Sequence, residues 1–133
     1  MNNQINEKRR YLRLKKRIPM HLSDEQFDTI AYTRDISQRG ALCELNYQIP
    51  LMSKLGIKLL LPGQANSKTA SNEIKCIGVV VRSQPIIKDT SAFYDTAIFF
   101  TKLTKANEKK IAQYIEHSVI NQSQDNVADI QLN

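Results

Sequence analysis

The sequence predicts a mainly β protein: a small antiparallel six-stranded β-barrel with a C-terminal α-helix packed on it and a flexible basic N-terminal arm. Three observations carry that prediction. Six or so short segments rich in β-branched and aromatic residues are separated by turn residues, the pattern of a small barrel. After Thr104 the apolar repeat changes from two residues to three or four, which is the period of a helix. Charge, finally, is gathered in one place: seven of the ten residues from Lys8 to Arg17 are basic and none is acidic.

The arm accounts for the high isoelectric point. The whole chain carries +6, while Lys8 to Arg17 carries +7, so the remaining 123 residues sum to −1. A near-neutral body with one basic arm points to a compact anionic partner rather than to general adhesion. Met1 to Glu7 is polar and rich in Asn and Gln, without the apolar stretch of a secretory signal, so a cytoplasmic location is expected. The domain boundaries that follow are an arm at 1–17, a barrel with its helix at 18–120, and a disordered polar tail at 121–133.

Taken in order, Ile18 to Leu22 opens the sheet and Ser23 to Gln26 turns the chain. Phe27 to Ile36 reads as a strand ending near Asp35, and Ser37-Gln38-Arg39-Gly40 has the residues of a tight connection into the strand Ala41 to Leu45. Tyr47 to Lys54, with Pro50, is a loop. Leu55 to Leu61 is a strand stopped by Pro62-Gly63, Gln64 to Asn72 is a polar hairpin tip, and Glu73 to Arg82 is a strand that becomes continuously apolar. Ala92 to Phe100 is the last strand. Leu103, Ile111, Ala112, Tyr114, Ile115, Val119 and Ile120 then form one helical stripe that needs a surface to cover, and the open end or face of the sheet supplies it.

Composition excludes several classes. At 133 residues, 41% hydrophobic and 24% charged, the chain can bury a core without metal or disulfide support. No apolar run approaches the ~18 to 20 residues that cross a bilayer. Cys43 and Cys76 lie 33 residues apart within apolar segments, a spacing that fits no zinc pattern and reads as two reduced buried thiols. Neither His21 nor His117 has a Ser, Cys or carboxylate at a catalytic spacing, and no G-x-S-x-G, Walker loop, H-E-x-x-H or C-x-x-C occurs. A non-enzyme with no metal site and no cofactor is expected.

Binding chemistry is better represented. Arg9 and Arg13 are four apart, and an arginine can fork two hydrogen bonds onto a phosphate or onto the O6 and N7 edge of guanine, as a lysine cannot. Arg13 and Arg17 make an overlapping pair at the same spacing, and by itself either pair fits a solvated charge run equally well. Asp35-Ile36-Ser37-Gln38-Arg39-Gly40 follows 22 residues after Arg13, at the junction of two strands. There Asp35 can accept N–H groups from a base and Ser37 can add a bond. Gly40 can take a positive φ that brings backbone close to a ligand. A plain Asx or Ser turn accounts for the same residues without a ligand.

Together, Arg9-x-x-x-Arg13 and Asp35-x-Ser37-x-x-Gly40 resemble the PilZ domain family, the bacterial receptor module for cyclic di-GMP. Leu14, the strand Ala41 to Leu45, Ile77 to Arg82, Tyr94 to Phe100 and the helical Lys109 to Ile115 also fall in the family's order, so the resemblance spans about residues 7 to 118. It implies that Arg9 and Arg13, helped by Arg10, clamp phosphate and guanine, while Asp35, Ser37 and Gly40 form a floor for a base. It also implies an adaptor whose arm, ordered by the dinucleotide, is read by a protein partner in motility, pilus or polysaccharide machinery. Where relatives often carry a small residue before the glycine, this chain has Gln38-Arg39, leaving contacts from Arg34, Arg39 or Arg17 open. Two other readings stand beside this one: a basic barrel binding single-stranded nucleic acid, which the lone Tyr11 in the arm and the near-neutral body argue against, and a PilZ-like adaptor working through protein contacts alone.

Overall fold

A computed structural model describes residues 12–62 and 73–132, with side chains as far as residue 120. The elements are β1 (Arg13–Leu14), β2 (Pro19–Ser23), β3 (Asp28–Ser37), β4 (Gly40–Leu45), β5 (Lys54–Leu60), β6 (Glu73–Lys88), β7 (Ser91–Lys102) and α1 (Lys105–Leu132). Neighbours pair antiparallel in the order β3, β2, β5, β6, β7, β4, and β4 returns to β3. This closes a six-stranded barrel, and β1 is an extra strand on β3.

Alternation explains the core. In β5 every second residue is buried, Leu55, Ile57 and Leu59, and β4 buries Ala41, Cys43 and Leu45 in the same way. With Met20, Leu22, Ile74, Val80, Ile98 and Phe100 these form one continuous interior. The helix starts on Thr104, whose Oγ1 accepts the Asn107 N–H at 3.1 Å, a side-chain N-cap. Ile111 and Ile115, one turn apart, are buried against that interior, and α1 packs on β1 and β3.

The arm ends earlier than its charge predicts. Arg13 and Leu14 pair with Ser37 and Ile36, Leu14 is 1% exposed and Ile18 is fully buried. The physical reason is that Leu14 and Ile18 each gain about 1.5 to 3 kcal/mol from burial, while the charged neighbours Lys15, Lys16 and Arg17 remain exposed. Thr33, itself buried, fastens this stretch: its hydroxyl donates to the Lys16 carbonyl at 2.6 Å and accepts the Ile18 N–H at 3.0 Å. Residues 1–11, with Arg9 and Arg10, lie outside the described residues, as does the hairpin tip at 64–72.

Two further differences concern length. Strands β6 and β7 continue beyond the predicted Arg82 and Ala92 to a two-residue turn, Asp89-Thr90, with Lys88 opposite Ser91. Both turn residues have positive φ, 50° and 68°, as a primed hairpin turn requires, and neither is the glycine or asparagine that would have announced it. The helix backbone runs on to Leu132, past Asn121 where the sequence predicts a polar tail. Once a helix is nucleated, each added residue gains a hydrogen bond, so polar residues of moderate propensity extend it.

Candidate functional site

The site is built by an irregularity in β3. Thr33 pairs with Cys43 but Asp35 pairs with Leu42, so Arg34 is an extra residue, a β-bulge. Without it, the two-residue period from buried Thr33 would send Asp35 into the core. With it, Asp35 and Ser37 face outward while Ile36 between them is fully buried. The signal was present in the sequence as two successive charged residues, Arg34-Asp35, between Thr33 and Ile36.

Arg13, Ser37 and Gly40 then fall in one row. Arg13 on β1 is opposite Ser37 on β3, and Ser37 is opposite Gly40 on β4. Arg13 is exposed and Asp35 half-buried, and among the described residues neither has a hydrogen-bonding or ionic partner; Asp35 lies two residues before Ser37, the residue opposite Arg13. Ser37 holds the turn: its Oγ accepts the Arg39 N–H at 3.3 Å and lies 3.4 Å from the Gly40 carbonyl. Part of the plain-turn reading is therefore correct.

Gly40 serves differently from expected. Its φ is not positive; a Cβ there would lie 2.4 Å from the Ile98 carbonyl oxygen on β7. Glycine is needed for close approach of two strands, which keeps β4 seated beside β7 and the Ser37 turn in place.

Three other arginines have partners of their own. Arg34 pairs with Asp95 at 2.7 Å and with Glu44 at 3.4 Å, and Glu44 also takes Lys88 at 2.7 Å. Arg39 reaches Glu108 in the first turn of α1 at 3.4 Å, beside a Gln38 amide 3.4 Å from the Glu108 carbonyl. Arg17 stacks on Tyr32, 4.4 Å from its ring centre. Arg17 and Tyr32 line a separate groove of about 410 Å³ farther along β3, with Arg34, Glu44, Tyr47 and Phe93. Burial raises the Cys43 thiol to about 12, assisted by Asp95 and then Glu44, and burial alone raises Cys76 to about 11, so both stay protonated. No metal-holding cluster occurs among the described residues.

A closed six-stranded barrel that carries an arginine, a carboxylate and a serine turn on its outer surface defines the class: a small antiparallel β-barrel domain. Sequence comparison then gives the family: residues 7–117 match the PilZ domain, and the chain belongs to that family. Solved structures agree in fold. The Bacillus subtilis inhibitor of motility (MotI/DgrA) superposes with a TM-score of 0.71 at 16% identity, covering 85% of this chain and 52% of that one. The K. pneumonia MrkH–c-di-GMP complex gives 0.68 at 15%, covering 88% and 55%. The Escherichia coli YcgR PilZ domain with c-di-GMP gives 0.64 at 13%, covering 91% and 98%. This chain thus spans about half the length of MotI and MrkH and nearly all of the YcgR domain. Comparison with curated proteins returns no match.

Proposed function

We propose that this protein is a receptor and adaptor for cyclic di-GMP. The observation that carries the reading is the register of Arg13 with Ser37 beside an outward Asp35 that has no ionic partner among the described residues. Asp35 accepts N–H groups of a guanine, Ser37 adds a hydroxyl contact, and Arg13 takes phosphate or the guanine O6 and N7 edge. Arg9 and Arg10 precede Arg13 by four and three residues, a span of roughly 10 to 14 Å, so they can close over the same ligand. Family membership supports the assignment, and the c-di-GMP-bound YcgR and MrkH neighbours share this fold.

In this mechanism the dinucleotide offsets part of the arm's positive charge and orders the basic arm on the barrel. The surface so formed is read by a protein partner, with motility, pilus and polysaccharide machineries the candidates, in the cytoplasm where the messenger acts. No helix among the described residues is long and apolar enough to cross a membrane.

Isothermal titration with cyclic di-GMP at two salt concentrations, with GTP and a short single-stranded oligonucleotide as competitors, tests the proposal. Saturable binding of the dinucleotide that neither competitor displaces is the expected result. Binding of the oligonucleotide alone, with a steep salt slope, overturns it, as does no binding at all.

A further inference from the structure

We propose that Arg82 is a second ligand-binding arginine at the far edge of the same outer face, taking the O6 and N7 edge of one guanine of the bound cyclic dinucleotide; this rests on the reading above. The register carries the placement. Asp35 pairs with Leu42, Leu42 with Ala97 and Ala97 with Arg82, a single row from β3 through β4 and β7 to β6. Residues in such a row share a face of the sheet. Three strand spacings put Asp35 and Arg82 about 14 Å apart along it, a width suited to a two-base ligand. Between them stand the half-buried Leu42 and Ala97, a low apolar floor for a planar base.

A second bulge aims Arg82. Val80 pairs with Ile98 and Arg82 with Ala97, so Val81 is an extra residue. Val80 is fully buried, and an uninterrupted period of two would bury Arg82 as well; instead both Val81 and Arg82 are exposed. The bulge in β3 does the same for Asp35 at the opposite end. One row of the barrel therefore has both its ends turned outward by inserted residues, the device by which sheets re-aim side chains at sites.

Charge supports a ligand role over a structural one. Arg34 and Arg39 face carboxylates, whereas Arg82 has no acidic partner among the described residues. Its Nε and Nη2 donate to the Gln84 Oε1, at 3.2 and 2.5 Å. A neutral amide orients the guanidinium without cancelling its charge, and the Nη1 side keeps its donors for a base edge. Arg13 lies beyond the Asp35 end of the floor, so the arm and Arg82 approach a ligand from opposite sides.

The test is titration of wild type, Arg82→Ala and Arg82→Lys with cyclic di-GMP and with its 7-deazaguanine analogue, which lacks N7. Arg82→Ala is expected to raise Kd roughly ten- to a hundredfold, with an unchanged melting temperature because the side chain is exposed. Arg82→Lys should recover little, since an ammonium cannot fork. The analogue should weaken wild type by a clearly larger factor than it weakens Arg82→Ala, in which any N7 contact of Arg13 is still lost; equal weakening of both overturns the guanine-edge contact. Wild-type affinity in Arg82→Ala, alongside lost affinity in Arg13→Ala, overturns the inference and leaves the receptor reading standing. A wild-type protein that does not bind the dinucleotide overturns both.

Discussion

Among single residues, Arg13 and Arg17 look interchangeable in the sequence, and their surroundings separate them. Arg13 stands opposite Ser37, and Arg17 lies against Tyr32. Arg13→Ala, and Arg9→Ala in the arm, should each weaken cyclic di-GMP binding by about 1.5 to 3 kcal/mol through loss of charge-assisted bonds. Arg17→Ala should change it by less than about 0.5 kcal/mol, as exposed substitutions away from a site do; calorimetry that ranks Arg17 as the most damaging would move the clamp four residues along the chain. Gly40→Ala should destabilise by roughly 1 to 3 kcal/mol in urea unfolding, since its Cβ meets rigid backbone at Ile98. Cys43 gives a pH dependence. Burial pushes its folded pKa up to about 12 from the ordinary thiol value of 9.0, so its contribution is complete below about pH 9 and is lost as pH rises toward 12. Unfolding midpoints should fall on that alkaline limb, and Cys43→Ala should flatten the fall.

At the level of elements, β1 is short but joins the candidate ligand face to the helix. Leu14 sits under α1 while its neighbour Arg13 faces the candidate ligand site. Leu14→Ala should therefore cost about 2 to 5 kcal/mol of stability, and at temperatures where the barrel remains folded it should still weaken cyclic di-GMP binding by releasing Arg13 from Ser37. A stability loss with undiminished affinity would separate β1 from the site. The Arg39–Glu108 and Gln38–Glu108 contacts give the Ser37 turn a second route to α1.

At the scale of the whole molecule, the basic arm stands against a body of charge −1. A dianionic ligand that bridges the two binds the folded state and has no equivalent in the unfolded chain. Ligand at a hundred times the wild-type Kd should stabilise the protein by about 2.7 kcal/mol, seen as a rise in melting temperature that is less than half as large in Arg13→Ala at the same ligand concentration. An equal rise in that variant would place the ligand elsewhere on the protein.

The sequence by itself determined the barrel, its helix and the identity of the candidate residues. Periods of two and of three to four are local consequences of strand and helix geometry, and Arg9-x-x-x-Arg13 with Asp35-x-Ser37-x-x-Gly40 is a matter of spacing along the chain. Tertiary structure decided which of those residues meet. The pairing of Arg13 with Ser37 follows from the burial of Leu14 and from Thr33 bonding across to Lys16 and Ile18, contacts between residues fifteen or more apart. The outward turn of Asp35 and of Arg82 depends on which residue is left over when strands of unequal count close into a ring. A bulge is a property of two paired strands, and neither strand alone contains it.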